Sequence, residues 1–414
     1  MNNIQYFDIA IIGAGPAGCS AALTLQKSQL KVALFEKKEF PIEKICGDGL
    51  DDRCINTLLA INPDYVDEFL ATKKYYVIED MRLYYKNKPC VINVKSVGYT
   101  CKRYDFDNFL FSLAKRDCQN LTIFQNTKIC SVQNEIGAVL LEDMNQVRYQ
   151  AKMVLVCTGA SSFLARKLTG KPFEKEKLGF AARAYYKGVK DLQGNTVELH
   201  YKKEFFPGYL WIFPMADDTA NVGVGWHLGQ KYNEKIQDVL TNWIQGDDVL
   251  RQRFADAEQV GLMQGGLVPY STKQFDCYGD NYCICGDTAD LIDPISGGGI
   301  GTSMVSGLFA AQVAEKAVTA GDCSANMTKE YSEKLRQLLV RHCPDAVPVR
   351  GRDDFLVNGF AGYAVLPAFS LAYYNSIMFL PETALVAPPS RNQFDRHFPP
   401  SSMSHKFKAA VAGL

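Results

Sequence analysis

The chain has 414 residues, 47% hydrophobic and 22% charged, with 45 basic residues balancing 45 acidic ones. That length builds two or three domains, or one large core with insertions, and the balanced charge offers no field to draw in nucleic acid. Thirteen cysteines without a C-x-x-C pair, and five histidines without ligand spacing, argue against a protein metal site.

A strand begins within the first six residues, leaving no room for a signal peptide. The cysteines therefore read as free thiols in a reducing, cytoplasmic setting. Residues 6–36 form one dinucleotide-binding unit. The apolar run 7–12 has the composition of a buried parallel strand and leads into Gly13-Ala14-Gly15-Pro16-Ala17-Gly18. Small residues over 19–23 continue as a helix, and a second strand over 31–35 ends at Glu36, with Lys37 beside it. Gly13 permits the tight turn, Gly15 lets the backbone approach a pyrophosphate, and Gly18 lets helix and strand pack closely. The helix N-terminus offers unpaired N–H groups to phosphate oxygens. An acid about 20 residues on is placed to accept the adenosine ribose hydroxyls.

A loop over 40–50 carries Lys44, Cys46 and Gly47 and precedes a helix expected over 51–60. Asp105 is expected to cap the next helix, which runs to residue 114. Alternating strands fill 122–156 and close on Thr158-Gly159, where the dinucleotide domain resumes after an excursion. Strand candidates at 181–186, 197–201, 209–213 and 220–224 are expected to form an antiparallel, substrate-facing sheet. Alternation puts Tyr209, Trp211 and Phe213 on one face of it, suited to a flat or polyene substrate. Residues 281–287 read as a strand ending on Gly286-Asp287. Pro294 and the run Gly297-Gly298-Gly299-Ile300-Gly301 then open a helix to residue 320.

Residues 355–381 carry no charge but contain Asn358, Gly359, Gly362, Pro367 and Asn375. Buried helices or a substrate lid fit that pattern better than a transmembrane span, with peripheral membrane contact as the alternative. The tail from Glu382 is expected to be poorly ordered.

Only one segment has the full strand–glycine–helix–strand–acid pattern, so one dinucleotide is held permanently and a second, if used, docks transiently elsewhere. The distant Gly286-Asp287 and glycine-run segments suit a flavin. Asp287 can accept a hydrogen bond from a ribityl hydroxyl, and the N–H groups of Gly298, Gly299 and Ile300 can stabilise negative charge on a reduced ring.

Together, the Gly13–Gly18 motif with Glu36, Arg103 with Phe106-Asp107, and Gly286-Asp287 with Pro294 resemble the p-hydroxybenzoate hydroxylase superfamily of flavoproteins. That superfamily holds aromatic hydroxylases, flavin-dependent halogenases and geranylgeranyl reductases. The loop Lys44-Ile45-Cys46-Gly47-Asp48-Gly49-Leu50 with Arg53 is similar to the Lys-x-Cys-Gly-x-Gly-Leu loop of the reductases. So are residues 207–214, around Tyr209 and Trp211, and Asn221-Val222-Gly223-Val224-Gly225. The resemblance spans residues 5–320.

It implies bound FAD: Gly13, Gly15, Gly18 and Glu36 at the ADP half, Arg103 at the diphosphate region, and Asp287 at the ribityl-diphosphate. Ala14, Pro16, Ala17, Lys37, Lys44, Cys46, Gly47, Gly159, Pro294, Gly298, Gly299 and Ile300 complete the cofactor set. Cys46 is implied as the proton donor. Departures are the missing acid at Thr158-Gly159-Ala160, a Gly-Gly-Ile where reductases carry Gly-Glu-Gly-Ile, and Trp211 where halogenases carry paired tryptophans. Lys73 or Lys74 falls only loosely where a halogenase places its lysine.

The implied fold is α/β. A Rossmann-like FAD domain of the p-hydroxybenzoate hydroxylase type lies in three pieces (1–75, 100–175, 275–325), with an inserted antiparallel substrate sheet (76–99, 176–274). A C-terminal helical region or lid (326–382) and a flexible tail (383–414) follow. The implied enzyme is an FAD-dependent oxidoreductase that reduces carbon–carbon double bonds of an isoprenoid, polyene or other hydrophobic substrate, with NAD(P)H or a reduced carrier as external donor. The alternative is a monooxygenase or halogenase acting on an aromatic or carrier-bound substrate.

Overall fold

The apolar run at the N-terminus forms the centre of a parallel sheet. In the computed structural model, which describes residues 4–85, 88–160, 162–170, 178–192, 194–202, 205, 208–227, 235–269, 277–293 and 297–339, strand β1 (Gln5–Ile12) leads into helix α1 (Pro16–Thr24) and strand β2 (Val32–Phe35). Ile9, Ala10 and Ile11 are fully buried, as expected for a strand covered on both faces. A short β3 (Gly49–Leu50), α2 (Asp52–Ile61) and α3 (Asp64–Ala71) precede a long hairpin, β4 (Tyr76–Tyr85) and β5 (Lys88–Thr100).

The chain then returns to the first sheet through α4 (Arg103–Asp117), β6 (Leu121–Phe124), β7 (Ile129–Glu135), β8 (Ala138–Asp143), β9 (Arg148–Val156) and α5 (Phe163–Thr169). A second excursion supplies β10 (Leu178–Lys187), β11 (Thr196–Tyr201), β12 (Tyr209–Pro214), β13 (Thr219–His227), α6 (Ile236–Gln245), α7 (Asp248–Arg253) and β14 (Glu258–Pro269). The last return adds β15 (Tyr278–Gly279), β16 (Tyr282–Ile284), α8 (Ile300–Ala320) and α9 (Ala325–Leu339).

Two eight-stranded sheets result. The first runs β15-β16-β9-β1-β2-β6, with β8 on β9 and β7 on β8. β1 pairs in parallel with both β2 and β9, placing Ile9 beside Val32 and Met153. The second runs β14-β10-β13-β12-β11-β4-β5-β3. Most of its pairs are antiparallel, but β11 runs parallel to β4, so it is a mixed sheet. Gly49–Leu50, placed by the sequence in the first cofactor-domain piece, pairs instead with β5 at the edge of this sheet.

The helix after Cys101 corrects a second expectation. It begins at Arg103, and Asp105 lies in its first turn with no capping bond. The Asp105 carboxylate is drawn to Lys74 at 2.6 Å. The N–H of Arg103 instead donates to Oδ1 of Asp48, 55 residues away, at 3.2 Å. A capping group supplied by tertiary structure thus replaces the local one.

The described C-terminal part is α9. Residues 355–381, the tail from 382, Ser161, Pro207 and Pro294 lie outside the described residues. Among the described residues no helix is long and apolar enough to cross a membrane, and no cluster of His, Cys, Asp or Glu is poised to hold a metal.

Helices α1 and α8 cross at backbone distance. A Cβ at Gly307 would lie 2.0 Å from the carbonyl oxygen of Ala17, so no side chain fits without separating the helices. Gly307→Ala is expected to destabilise the protein by about 1 to 3 kcal/mol, the usual penalty of overpacking, read as a lower urea midpoint at unchanged slope.

Candidate functional site

At the C-terminal end of β1 the chain makes a turn that only small residues allow. Gly13 has φ 103°, and a Cβ there would come 2.3 Å from the carbonyl oxygen of Cys157. A Cβ on Gly18 would fall 1.8 Å from the oxygen of Gly13. Gly15 is different: its backbone is extended, and a Cβ would meet nothing within 4 Å. The turn is packed tightly underneath and left open at Gly15. No side chain caps α1, so its N-terminal N–H groups face that open side with the positive end of the helix dipole. Glu36, buried at the end of β2, accepts the N–H of Ala14 at 3.0 Å and that of Lys38 at 3.1 Å. Two of roughly four lone-pair sites of a carboxylate remain. Lys37 beside it is exposed.

From Pro16 a cavity of about 310 Å³ extends toward the second sheet. Of the residues named from the sequence, Pro16, Lys44, Cys46, Gly47, Arg103, Asp287, Gly298, Gly299, Ile300, Tyr209, Trp211 and Phe213 line it. Gly13, Ala14, Gly15, Ala17, Gly18, Glu36 and Lys37 form the adjoining turn rather than the wall. Gly159, with φ 83°, donates its N–H to Thr288 Oγ1 at 2.7 Å behind it. Asp287, in a single 3-10 turn (Gly286–Ala289), faces Lys44 Nζ at 3.5 Å.

The floor is the second sheet. Register aligns Tyr209 with Gly225, Trp211 with Gly223 and Phe213 with Asn221. A Cβ on Gly223 would sit 2.2 Å from Trp211 Cζ2, so the missing side chain lets the indole lie across β13. Above it, Gly47 and Gly49 would each bring a Cβ to 3.5 Å from the aromatic wall, Gly47 at Trp211 Nε1 and Gly49 at Phe213. The Cys46–Gly47 loop therefore rests on these aromatic rings.

What holds the loop there is Asp48, fully buried at φ 64°. Its carboxylate accepts the Tyr185 hydroxyl at 2.6 Å and Asn221 Nδ2 at 2.8 Å, besides the Arg103 N–H. Asn221 also donates to the carbonyl of Cys46 at 2.9 Å and accepts the Trp211 indole N–H at 2.9 Å. Arg103 in turn grips Asp107 with two bonds of 2.6 Å.

Burial pushes the Asp48 carboxyl above its usual range, against the lowering hydrogen bonds of Tyr185 and Asn221. Burial likewise pushes the Cys46 thiol up, while the Arg103 guanidinium and the N–H of Asp48 pull it the other way. At neutral pH the sulfur keeps its proton.

Asp48, Asn221, Tyr185 and Arg183 were not singled out as site residues. Asn221, Gly223 and Gly225 alternate along one strand, so their common face was legible. Their meeting with Asp48 was not, because it joins positions 173 residues apart. Lys74 is tied to Asp105, and neither Lys73 nor Lys74 lines the cavity.

Two family descriptions match: Pyridine nucleotide-disulphide oxidoreductase over residues 7–195 and Geranylgeranyl reductase catalytic domain over residues 181–267. The digeranylgeranylglycerophospholipid reductase 2 of Methanopyrus kandleri is 28% identical over 335 residues, 80% of this chain and 82% of that protein. The digeranylgeranylglycerophospholipid reductase of Thermoplasma volcanium is 27% identical over 351 residues, 82% of this chain and 85% of that protein. A geranylgeranyl bacteriochlorophyll reductase-like structure from Thermoplasma acidophilum superposes with a TM-score of 0.72 at 23% identity, covering 100% of this chain and 99% of that one. The flavin-dependent brominase Bmp2 also reaches 0.72, at 21% identity, covering 90% and 95%. At these identities the structural likeness establishes the fold, which reductases and halogenases share. The sequence relatives and the catalytic-domain match are on the reductase side, and the chain is an FAD-dependent oxidoreductase that resembles the geranylgeranyl reductases.

Proposed function

We propose that this enzyme saturates carbon–carbon double bonds of an isoprenoid or other polyene lipid. The carrying observation is the apposition of the Cys46–Gly47 loop to the Tyr209–Trp211–Phe213 wall within one cavity. An apolar, flat wall accepts a chain of conjugated or trisubstituted alkenes. The relatives named as digeranylgeranylglycerophospholipid reductases support the same substrate class.

The residues of the turn fit FAD. Open space at Gly15 and the uncapped start of α1 receive the diphosphate, and the free lone pairs of Glu36 receive the ribose hydroxyls. Asp287 and the backbone of Gly298, Gly299 and Ile300 lie along the cavity where the ribityl chain and ring would follow. Bound and reduced, FAD supplies the hydride. NAD(P)H or a reduced carrier serves as transient donor, since the chain holds one complete dinucleotide pattern.

The chain's own residues supply the rest. The aromatic wall orients the alkene and excludes water. Cys46 holds a proton at Sγ, which passes to the carbon next to the one receiving hydride. The thiolate left behind is then faced by the Arg103 guanidinium and the Asp48 N–H. Asp48, Tyr185 and Asn221 position the loop.

Substituting Gly15 by Val leaves the extended backbone unstrained but fills the space proposed for diphosphate. FAD affinity is expected to fall at least roughly tenfold with the apoprotein melting temperature unchanged. Retention of full affinity would move the cofactor elsewhere.

Reduced enzyme given a geranylgeranyl substrate is expected to yield a product heavier by two hydrogens per reduced bond. Cys46→Ala should lower that rate by about 10²- to 10⁴-fold. A product carrying oxygen or halogen instead would sink the reductase reading.

Because the Cys46 pKa is raised, little thiolate exists at neutral pH. Iodoacetamide labelling of Cys46, followed by peptide mass, should lag far behind the exposed Cys130 at pH 7.5 and climb steeply above the usual thiol range. Arg103→Met should move that rise to still higher pH. Equal labelling of the two cysteines at pH 7.5 would contradict the raised value.

A further inference from the structure

Arg183 is a buried, incompletely hydrogen-bonded charge lining the cavity. It is 3% exposed, yet among the described residues it uses one of the five N–H donors a guanidinium carries, from Nη2 to Glu43 Oε1 at 3.2 Å. Its Nε has no hydrogen-bond partner among the described residues. Glu43 is 57% exposed, so the pair is weak. One face of the guanidinium is covered by the Tyr185 ring, 4.3 Å from Cζ to centroid. Its cross-strand neighbour Gln264 has a buried Oε1 with no hydrogen-bond partner among the described residues. The buried Asp48 carboxylate offsets the charge through space, but buried guanidinium N–H groups without acceptors remain unfavourable unless something else accepts them.

Register shows what the missing partner would be attached to. Gln264, Arg183, Gly223 and Trp211 form one row across four strands, and alternate strands lie roughly 10 Å apart. Gly223 has no side chain, and the Trp211 indole lies across that position toward Arg183. A ligand anion on Arg183 therefore runs, within its own length, onto the aromatic wall. With the diphosphate placed on α1 in the reading above, this cation is left to the substrate.

We propose that Arg183 is an anion subsite that selects amphiphilic substrates, its guanidinium binding a phosphate-type headgroup while the tail lies along Trp211. Glu43 is the built-in competitor, occupying the guanidinium until the headgroup displaces it and swings into solvent on release. This assignment rests on the substrate reading above but concerns binding rather than turnover.

The test is calorimetric titration of FAD-loaded protein with geranylgeranyl phosphate and geranylgeraniol, which share a tail and differ in the anion. Charge-assisted hydrogen bonds of this kind correspond to about 10- to 100-fold in affinity. Arg183→Gln should weaken the phosphate by that factor and leave the alcohol within about twofold. Glu43→Gln should tighten the phosphate alone. Equal loss of both ligands in Arg183→Gln, or no change in Glu43→Gln, overturns the proposal. Should Arg183→Gln fail to fold, Arg183→Lys and Glu43→Gln carry the same comparison.

A fall in FAD affinity with the phosphate preference intact would assign the guanidinium to the cofactor and also overturn it. Inorganic phosphate binding as tightly as the lipid phosphate would point to a free anion, again overturning the amphiphile. If Arg183-dependent preference persists while no geranylgeranyl chain gains hydrogen, the subsite stands and the reductase reading fails.

Discussion

A single buried carboxylate organises the site. Asp48 is removed from solvent, sits in left-handed backbone, and accepts hydrogen bonds from the main chain of α4, from Tyr185 on β10 and from Asn221 on β13. Each partner belongs to a different part of the fold. The N–H of Arg103 is the first of a helix that returns to the parallel sheet, whereas the two side chains stand on the second sheet. The loop between Lys44 and Leu50 is thereby fixed to both bodies, and Cys46 is presented between them. A carboxylate in such a place is tolerable only when its lone pairs are filled. Removing one donor would therefore loosen the loop as well as leave a charge exposed to a low-dielectric interior.

Glycine serves the protein in two opposite ways. At Gly13, Gly18 and Gly307 the absent side chain brings backbone against backbone, locking the turn after β1 and the crossing of α1 with α8. At Gly223 it makes room for an indole, and at Gly15 it leaves space that no protein atom fills. The first group concerns packing and the second concerns what the molecule accommodates. A motif of glycines read as a string does not distinguish these uses; the neighbours of each absent Cβ do.

The electrostatics divide similarly. Asp48 is buried and accepts three hydrogen bonds, and Arg103 is buried and paired bidentately with Asp107, so they hold geometry. Arg183 is buried and barely engaged, so it has capacity to spare. Burial raises the Cys46 thiol, so the sulfur keeps its proton at neutral pH. The surface pairs, such as Arg116 with Glu68, sit in water and contribute little to either task.

The dinucleotide turn was legible because its determinants are local: a buried strand, three glycines at fixed offsets and an acid closing the next strand all lie within residues 6–36. The aromatic face of β12 was legible for the same reason, since period-2 alternation is a property of consecutive residues. The cap of α4 was not. Asp105 satisfies the local rule, but Lys74 claims its carboxylate and Asp48 supplies the cap from 55 residues away. Nor could alternation reveal that β11 runs parallel to β4, or that Gly49–Leu50 joins the second sheet, because strand pairing is a relation between distant segments. Local pattern was enough to locate the glycine turn of residues 13–18 and the aromatic stripe on β12. The meeting of Asp48 with Tyr185 and Asn221, and the place of Arg183 in the cavity wall with a single hydrogen bond among the described residues, come from packing alone. Both depend on where separate stretches of chain come to rest, which no local periodicity encodes.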